Sequence, residues 1–553
     1  MYKTRLNYGW AAALSAIALS IPACGGGSDD APATVAASAP DPAAACSALA
    51  GSKVAASEIA LETKGALVKA ATLVPATTSL PEYCLASGTI TSVDIGAQDI
   101  NFAVALPTQW NSRAMHVGGG GFDGVVPSVT STVLVSGPSP LARGYAVFGG
   151  DSGHQAPAGE AFGTFFGLND EMLRNYGGDS LKKTKDVAMK LVALRYKTAP
   201  QKTYFIGGSQ GGHEGMQVLQ RWGEEYDGIV TNYPAYGYMS QILAWNVYGR
   251  ALRGGTAAGY LNPEKLKTLR AGELTACDAA DGAADGVISN LGACTFTPAA
   301  LRCAGGADTG DGCLSDAQIT SVQTMQTRLT FPYVFNSGVT SYTGLNIGSD
   351  YAGILGLGTQ AAFPVPPKPS VLGLMHGYAD AIIRNFVLKD PTANTLNFDP
   401  LNPGVYAARI QEVSNFLDAN TVEVQPFMKK GKWILVHGLS DQLIAPGASV
   451  DYYNRLVAKY GQAEVSRFMR FYTVPGFGHG SGPFNASGGL PTLDALEQWV
   501  EAGTVPGSLI VKDTNPGLPT TNRTRPLCEY PKWPKYSGSG DVNSAASYTC
   551  STS

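Results

Sequence analysis

The stretch that decides the fold is "YFIGGSQGGHEGM", residues 204–216, in which a serine lies between glycines after an apolar run. The apolar run predicts a buried strand, and the residues after the serine are compatible with a helix. Gly207, Ser209 and Gly211 form a G-x-S-x-G pattern, typical of a nucleophilic serine on a tight turn from strand to helix. In a glycine-rich chain the same pattern also arises by chance, so its partners decide the interpretation.

Strand-like and helix-like runs alternate on both sides of this turn. Five apolar runs predict buried strands: residues 114–122, 145–151, 203–209, 432–441 and 467–480. Three stretches have helical periodicity: residues 179–197, 449–461 and 490–503. The alternation predicts an α/β sheet with parallel strands. The expected fold class is α/β, an α/β-hydrolase sheet domain with a large inserted cap (lid) domain.

The middle of the chain has a different character. Residues 238–425 hold four of the cysteines and the proline-rich segment "FPVPPKP", and they carry few strand signals. We therefore predict a lid domain over residues 238–425. The catalytic sheet domain is then formed by residues 46–237 together with residues 426–553.

The amino terminus predicts export. Lys3 and Arg5 precede an apolar stretch that is short for a membrane span, and small residues precede Cys24. This pattern resembles a bacterial lipoprotein signal over residues 1–24, with Cys24 lipidated; ordinary signal cleavage is the alternative. Residues 25–45 have the composition of a flexible tether. We expect a protein anchored in the bacterial cell envelope (outer membrane or periplasm) or secreted, which contacts a membrane only through the lipid on Cys24.

Charge and cysteine content narrow the possible partners and ligands. A formal net charge of −4 with 15% charged residues leaves no basic surface for nucleic acid. Without CxxC or CxxH spacing a zinc site is not expected. If Cys24 is lipidated, eight of the nine cysteines remain, which favours four disulfides in an oxidising compartment. Nearest-neighbour pairing joins Cys46 with Cys84, Cys277 with Cys294, Cys303 with Cys313, and Cys528 with Cys550.

A serine nucleophile requires a histidine base, and the histidine requires an acid that orients it. The chain has six histidines. In α/β hydrolases the acid follows a late strand and the histidine follows the next one. Asp441 in "ILVHGLSDQLI" and His479 in "VPGFGHGSG" lie where those two loops are expected. His437, just before Asp441, is expected to line the pocket.

Acyl transfer also requires N–H donors for the developing oxyanion. The residue after the nucleophile, Gln210, is expected to supply one backbone N–H. The second is expected from the glycine-rich segment "VGGGGFDG", residues 117–124, through Gly120. A simple flexible turn is the alternative for that segment.

Six segments, taken in order, resemble the tannase and feruloyl esterase family of α/β hydrolases, which includes mono(2-hydroxyethyl) terephthalate hydrolases. They are "GGGGFDG", "FGGDSGH", "GGSQGGHEGM", "CDAADGAADGVIS", "VHGLSD" and "GFGHG". The resemblance covers nearly the whole chain after the predicted signal. It implies a secreted serine esterase with Ser209, Asp441 and His479 as the triad and a lid that shapes the pocket.

The resemblance also implies a structural calcium ion in the lid and no organic cofactor. The ligands would be the side chains of Asp278, Asp281 and Asp285 and the carbonyls of Ala283 and Val287. Three carboxylates at short spacing suit a hard cation, and a solvated acidic turn is the alternative.

One departure from the family pattern concerns the catalytic loops. The family usually has a cysteine just before the nucleophile and another just after the histidine, and these form a disulfide. Here those positions are Gly208 and Gly480. We therefore interpret the chain as a divergent member that lacks this disulfide.

The resemblance implies an ester of an aromatic acid, of feruloyl, galloyl or terephthalate-monoester type, as substrate. Esters of aliphatic polyester oligomers and other small esters are an alternative, as is a non-catalytic binding lipoprotein. Trp245, Tyr378 and Phe386 are candidates for the pocket wall, and Arg384 is a candidate partner for a substrate carboxylate.

Overall fold

A large mixed sheet organises the chain, which the computed structural model describes over residues 41–131, 134–156, 163–363, 369–516 and 522–552. The strands are β1 (Lys53–Val54), β2 (Ala66–Val74), β3 (Tyr83–Ile90), β4 (Ile100–Pro107), β5 (Arg113–Val117), β6 (Ala146–Gly150), β7 (Lys202–Gly208), β8 (Gly228–Asn232), β9 (Leu329–Thr330), β10 (Ser341–Tyr342), β11 (Lys432–Gly438), β12 (Met469–Val474), β13 (Leu509–Lys512), β14 (Thr524–Glu529), β15 (Trp533–Tyr536) and β16 (Tyr548–Ser551). The helices are α1 (Pro42–Ser47), α2 (Asp170–Arg174), α3 (Ser180–Tyr196), α4 (Gln210–Trp222), α5 (Tyr238–Arg253), α6 (Pro263–Cys277), α7 (Asp316–Gln326), α8 (Pro369–Leu372), α9 (Leu374–Ile382), α10 (Ala407–Leu417), α11 (Gln425–Met428), α12 (Pro446–Tyr460), α13 (Gln462–Phe468) and α14 (Thr492–Ala502).

Strand order shows where a site can form. Within the described residues the large sheet has twelve strands, in the order β1-β2-β3-β4-β6-β5-β7-β8-β11-β12-β14-β13. The strands from β6 to β12 in this order run parallel, and those at both edges pair antiparallel. Parallel strands end at the same edge of a sheet, so the loops after β5, β7, β11 and β12 meet there. The predicted α/β sheet with parallel strands is confirmed.

Strand β7 shows why an apolar run had to precede the serine. Tyr204 and Ile206 lie in the core under α14, whereas Phe205 packs on the other face of the sheet with α4. Successive side chains of a strand point to opposite faces. A strand covered on both faces therefore needs apolar residues at every position.

In the described part of residues 238–425 the regular structure is mainly helical, and it packs on loops of the sheet edge. Ile242 and Leu243 of α5 share one apolar core with Phe122 after β5, Phe166 after β6 and Ile444 after β11. This continuous core links the predicted lid to the loops that carry the candidate site. The domain boundaries stay predictions.

Four disulfides form, with the nearest-neighbour pairing: Cys46–Cys84, Cys277–Cys294, Cys303–Cys313 and Cys528–Cys550. The description of the chain as a member that lacks a disulfide is therefore not borne out, because these four bridges crosslink it. Gly208 and Gly480 take no part in them. At Gly208 a Cβ would lie 2.9 Å from the Leu134 side chain, so the site of Ser209 is crowded there.

The amino-terminal predictions fall mostly outside the described residues. Cys24 and the predicted signal over residues 1–24 lie there entirely. The predicted tether over residues 25–45 ends differently from the expectation, because its last four residues belong to α1. The bridge from Cys46 to Cys84 in β3 holds this helix on the sheet. In the part of the chain that is described, no helix is long and apolar enough to cross a membrane.

Candidate active site

Ser209 lies on a tight turn between β7 and α4. Its φ of 58° and ψ of −119° are outside the regions that L residues normally adopt, and its N–H donates to Asn232 O over 3.0 Å. The flanking glycines are required by close backbone contacts. A Cβ at Gly207 would lie 2.1 Å from Gly211 O, and one at Gly211 would lie 2.7 Å from Gly119 O. Sterics therefore explain the glycines of the G-x-S-x-G pattern.

The structure brings Ser209, His479 and Asp441 together at the carboxyl edge of the sheet. His479 Nε2 lies 2.8 Å from Ser209 Oγ, and His479 Nδ1 lies 3.0 Å from Asp441 Oδ2. The Tyr233 ring packs on the imidazole with 4.7 Å between centroids. A proton on Nδ1, donated to the carboxylate, leaves Nε2 able to accept the proton of the serine hydroxyl.

The carboxyl group of Asp441 is fully buried and surrounded by donors. Its Oδ1 accepts the N–H groups of Leu443 and Ile444 over 2.8 and 2.9 Å. Burial by itself raises the pKa of Asp441. The charge of His479 and hydrogen bonds from His437 and His479 outweigh burial, so the pKa is held well below its ordinary value. The group opposite His479 is therefore a carboxylate.

The structure does not place His437 in the pocket, contrary to the sequence prediction. Its imidazole is fully buried behind the acid, with Nε2 3.5 Å from Asp441 Oδ2. Nδ1 lies 2.7 Å from Ser449 Oγ, and Nε2 lies 3.0 Å from Ile444 O. His437 belongs to β11, where side chains alternate between the faces of the sheet. Its side chain lies beneath the loop that carries Asp441 and not in the pocket wall.

The glycine-rich loop after β5 lies against the start of α4. Gly119 N–H donates to Glu214 Oε2 over 2.8 Å. Within the described residues, no acceptor takes the N–H of Gly120. Gln210 is the first residue of α4, where backbone N–H groups have no acceptor inside the helix. Gln210 and Gly121, the neighbour of Gly120, both line the pocket.

A pocket of about 260 Å³ opens beside the serine and the histidine. Besides Ser209 and His479 it is lined by Gln210, Gly121, Ala235, Tyr238, Gln241, Ile242, Trp245, Leu374, Tyr378, Leu443 and Ile444. Trp245 and Tyr378, both candidates from the sequence, are therefore in the wall. Among the described residues that line the pocket there is no lysine, arginine, aspartate or glutamate.

Arg384 and Phe386, the other two predicted substrate contacts, do not line the pocket. Arg384 Nη2 pairs with Asp380 Oδ2 over 2.5 Å, and Nη1 donates to Pro391 O over 2.8 Å. Phe386 is fully buried, with its ring 5.2 Å from that of Phe166. Both residues follow the end of α9, whose residues Leu374 and Tyr378 face the pocket.

Several pocket residues escaped the sequence predictions. On α5 the pocket residues are Tyr238, Gln241, Ile242 and Trp245, which recur at the spacing of one helix face. Because Trp245 is a candidate from the sequence, this helical spacing could have identified the other three residues as well. No comparable signal marks Leu443 and Ile444, which follow the acid in the chain.

In the acidic loop, residues 278–287, the carboxylates contact groups of the protein and do not converge on one point. Asp278 accepts the N–H of Gly286 over 3.0 and 3.1 Å, and Asp285 pairs with the guanidinium of Arg525. Within the described part of the chain, no group of three or more His, Cys, Asp or Glu side chains is arranged to hold a metal ion. Burial and then the charge of Asp285 raise the pKa of Asp278 and of Asp281. The donor types suit calcium, although Arg525 is the cation that now contacts the loop.

The sequence matches the family model described as tannase and feruloyl esterase over residues 84–551. The chain belongs to the tannase and feruloyl esterase family. It is a carboxylic ester hydrolase. The family match therefore confirms the resemblance that the six sequence segments indicate.

Relatives and a solved structure agree with this assignment. The esterase is 38% identical over 521 residues to an uncharacterized esterase of Agrobacterium fabrum, covering 91% of this chain and 92% of the relative. It is 30% identical over 539 residues to the mono(2-hydroxyethyl) terephthalate hydrolase of Piscinibacter sakaiensis, covering 86% of each chain. Feruloyl esterase B from Aspergillus oryzae superposes with a TM-score of 0.76 at 22% identity, covering 92% of this chain and 100% of that chain. This last likeness confirms the α/β-hydrolase fold.

Proposed function

We propose that the esterase hydrolyses esters of aromatic acids through a covalent acyl-serine, with Ser209, His479 and Asp441 as its catalytic triad. The observation that supports this is the unbroken chain of hydrogen-bond distances from Ser209 Oγ through His479 to Asp441, 2.8 and 3.0 Å. An oriented base beside a hydroxyl at the mouth of a pocket is the arrangement that acyl transfer requires.

The reaction follows from this geometry in two halves. Ser209 Oγ attacks the ester carbonyl while its proton passes to His479 Nε2, and the resulting imidazolium is stabilised by Asp441. Collapse of the tetrahedral intermediate breaks the bond to the alkoxy oxygen, which takes the proton from His479 and leaves as the alcohol. Water then attacks the acyl-serine with His479 again as base. The second tetrahedral intermediate collapses, its bond to Ser209 Oγ breaks, His479 returns the proton to that oxygen, and the acid is released.

The backbone N–H groups of Gln210 and Gly120 are the proposed oxyanion donors. Gln210 is the first residue of α4, and Gly120 is next to Gly121 of the pocket wall, on the loop that lies against α4. Loss of one such donor typically costs about 10²- to 10³-fold in kcat. Because these donors are backbone groups, this part of the reaction requires no particular side chain.

An aromatic acyl group is favoured by the pocket wall. Tyr238, Trp245 and Tyr378 surround a cavity of about 260 Å³, and planar rings pack well on such side chains. Because no lysine or arginine is among the described residues that line it, the pocket favours neutral esters over a terephthalate monoester with a free carboxylate. Such a monoester is the substrate in the name of the Piscinibacter relative.

A fluorophosphonate probe tests the nucleophile, because it reacts only with an activated serine. We expect wild type to be labelled and Ser209→Ala to remain unlabelled. As a matched control, Ser321→Ala removes a buried lid hydroxyl that bonds Ala251 O over 3.1 Å and should label like wild type. A folded wild type that does not label would overturn the proposed function.

The same proteins identify the ester class. The assay compares methyl ferulate, methyl gallate, dimethyl and monomethyl terephthalate, and short aliphatic p-nitrophenyl esters. We expect kcat/KM for neutral aromatic esters to exceed that for the monoester by about tenfold, a difference of about 1.4 kcal/mol in transition-state binding. Turnover of short aliphatic esters alone would disprove the aromatic preference.

We also propose that the acidic loop binds a structural calcium ion through the side chains of Asp278, Asp281 and Asp285. Support comes from three carboxylates within one short loop, whose oxygen donors suit a hard cation such as calcium. The carbonyls of Ala283 and Val287 would complete the set of oxygen ligands. When bound, the ion would cancel the repulsion between the carboxylates.

Chelation tests the calcium proposal. Calcium at a hundred times its Kd stabilises the native state by about 2.7 kcal/mol, so for a chain of this length EDTA should lower the Tm by about 2 °C. Asp281→Asn should start from the lower Tm and respond little to EDTA. An unchanged wild-type Tm after exhaustive chelation would leave Arg525 as the cation of this loop and contradict the proposal.

Export is the proposed location, with Cys24 as the lipid-bearing residue. The four disulfides support an oxidising compartment, because cytosolic proteins rarely keep such bridges. Cys24 itself lies outside the described residues.

A further inference from the structure

Two carboxyl groups lie directly behind the glycine-rich loop. Glu214 of α4 is 3% exposed, and its Oε2 accepts the N–H of Gly119 over 2.8 Å. Asp123 closes the loop, with its own N–H donated to Gly120 O over 2.9 Å. A Cβ at Gly119 would lie 2.3 Å from Asp123 Oδ2. The loop that supplies the proposed oxyanion donor therefore contacts both acids.

Ser152, after β6, contacts both acids. Its hydroxyl lies 2.7 Å from Asp123 Oδ2 and 3.3 Å from Glu214 Oε1. A hydroxyl has one hydrogen to donate, so it satisfies one of these oxygens at a time. Asp123 Oδ1 is buried and accepts no hydrogen bond in the described part of the chain. Two ionised carboxylates with so few donors would repel each other, and the buried oxygen would stay unsatisfied.

A single proton removes both difficulties. As a carboxylic acid, Asp123 is neutral and can donate a hydrogen bond. Its buried Oδ1 then no longer needs to accept one. Glu214 can then keep its charge, because it accepts the N–H of Gly119 and a hydrogen bond from the side chain of Asp123. A charged acceptor binds a backbone N–H more strongly than a neutral acceptor does.

We propose that Asp123 and Glu214 share one proton as an acid–carboxylate pair, and that this pair positions the oxyanion loop through Gly119. Gly120, the next residue, carries the N–H assigned to the oxyanion, so a shift of Gly119 moves that donor. The inference rests on the proposed function. Asp123 and Glu214 are positioning residues, since neither lines the pocket.

The surroundings of the pair agree with one shared proton. Burial raises the pKa of Asp123 well above its ordinary value, and the charge of Glu214 adds to this. The other titratable groups that face the pair are Asp151, His154, Tyr176, Tyr226, Tyr238 and Tyr378. Burial lowers the pKa of His154 to about 4, so it supplies no positive charge at neutral pH. Asp151, whose pKa burial raises to about 6, adds a negative charge above that pH and favours the proton further.

The two acids should respond differently to isosteric amides. Asp123→Asn still donates an N–H to Glu214, so kcat should stay within about threefold of wild type. Glu214→Gln removes the negative charge that accepts the N–H of Gly119. Its amide N–H₂ group also faces Asp123, which in the proposed pair is itself a donor. Its kcat should fall by about 10- to 100-fold with KM little changed, since one oxyanion donor is displaced.

The pH profile separates this role from a merely structural one. Wild-type kcat should fall at alkaline pH, where the shared proton is lost and the two carboxylates repel. Asp123→Asn cannot lose that proton, so its profile should lack this alkaline decline. An alkaline limb that is the same in both proteins would overturn the inference, as would a Glu214→Gln enzyme with wild-type kcat.

Controls keep this inference distinct from the proposed function. Glu273→Gln makes the same change at a lid glutamate that is 1% exposed, and kcat should not change. If wild type is not labelled by the fluorophosphonate, the proposed function fails. If wild type is labelled and Glu214→Gln keeps full kcat, only the positioning pair fails. Should Glu214→Gln not fold, the pH profile of Asp123→Asn decides.

Discussion

Replacing His479 with alanine should lower kcat by about 10⁴-fold or more for every ester that the wild type hydrolyses. His479 Nε2 lies 2.8 Å from Ser209 Oγ, and within the described residues no other histidine contacts that oxygen. Without the imidazole, the serine hydroxyl has no acceptor for its proton during attack. Steady-state kinetics on the best ester of the panel measure the effect, with KM expected to change much less than kcat.

Imidazole rescue sharpens the His479 experiment. The alanine variant leaves a space beside the Tyr233 ring, which packs on His479 with 4.7 Å between centroids. Added imidazole should enter it and restore part of kcat in a concentration-dependent manner. His376→Gln is the matched control, because His376 is buried in α9 against Gly249 and should leave kcat unchanged. A His479→Ala enzyme within tenfold of wild type would contradict the assigned base.

The parts of the site on the sheet were predictable from sequence. In a parallel sheet the end of each strand delivers its next loop to the same edge, so the order of strands placed Ser209, Asp441 and His479 near one another. The glycines around Ser209 also indicated the tight turn, since close backbone contacts leave no room for Cβ atoms there. Disulfide pairing was predictable because each cysteine has a near neighbour in the chain.

The contacts of the predicted lid, and the buried contacts of His437 and Glu214 behind the site, were not predictable in the same way. The residue types of Arg384 and Phe386 suggest pocket contacts, but both follow the end of α9, and which residues of this segment meet the pocket depends on how the predicted lid packs. His437 is buried beside Asp441 and not in the pocket wall, and an apolar strand that is covered on both faces gives no sign of which way this side chain points. The contact of Glu214 with Gly119 joins a helix to a distant loop, and residue spacing carries no signal for it.

Replacing Asp441 with asparagine should lower kcat by about 10³- to 10⁴-fold while KM changes little. The carboxylate accepts the Nδ1 proton of His479 over 3.0 Å, which leaves Nε2 free to act as base. An asparagine can turn its NH₂ toward Nδ1 and favour the opposite tautomer, in which Nε2 carries the proton and cannot accept another. Steady-state kinetics measure the loss.

The pH dependence of stability gives a second, independent readout for Asp441. The charge of His479 and hydrogen bonds from His437 and His479 outweigh burial and hold the folded-state pKa well below the ordinary value. The carboxylate therefore contributes stability that is fully present above about pH 4 and is lost as the pH falls further. The difference in free energy of unfolding between wild type and Asp441→Asn should shrink on acidification below that pH. Asp451→Asn, which breaks an exposed pair with Arg328, should show neither the kinetic loss nor a comparable change in stability. Equal kcat in Asp441→Asn and wild type would contradict the assigned acid, because no other described carboxylate contacts the His479 ring.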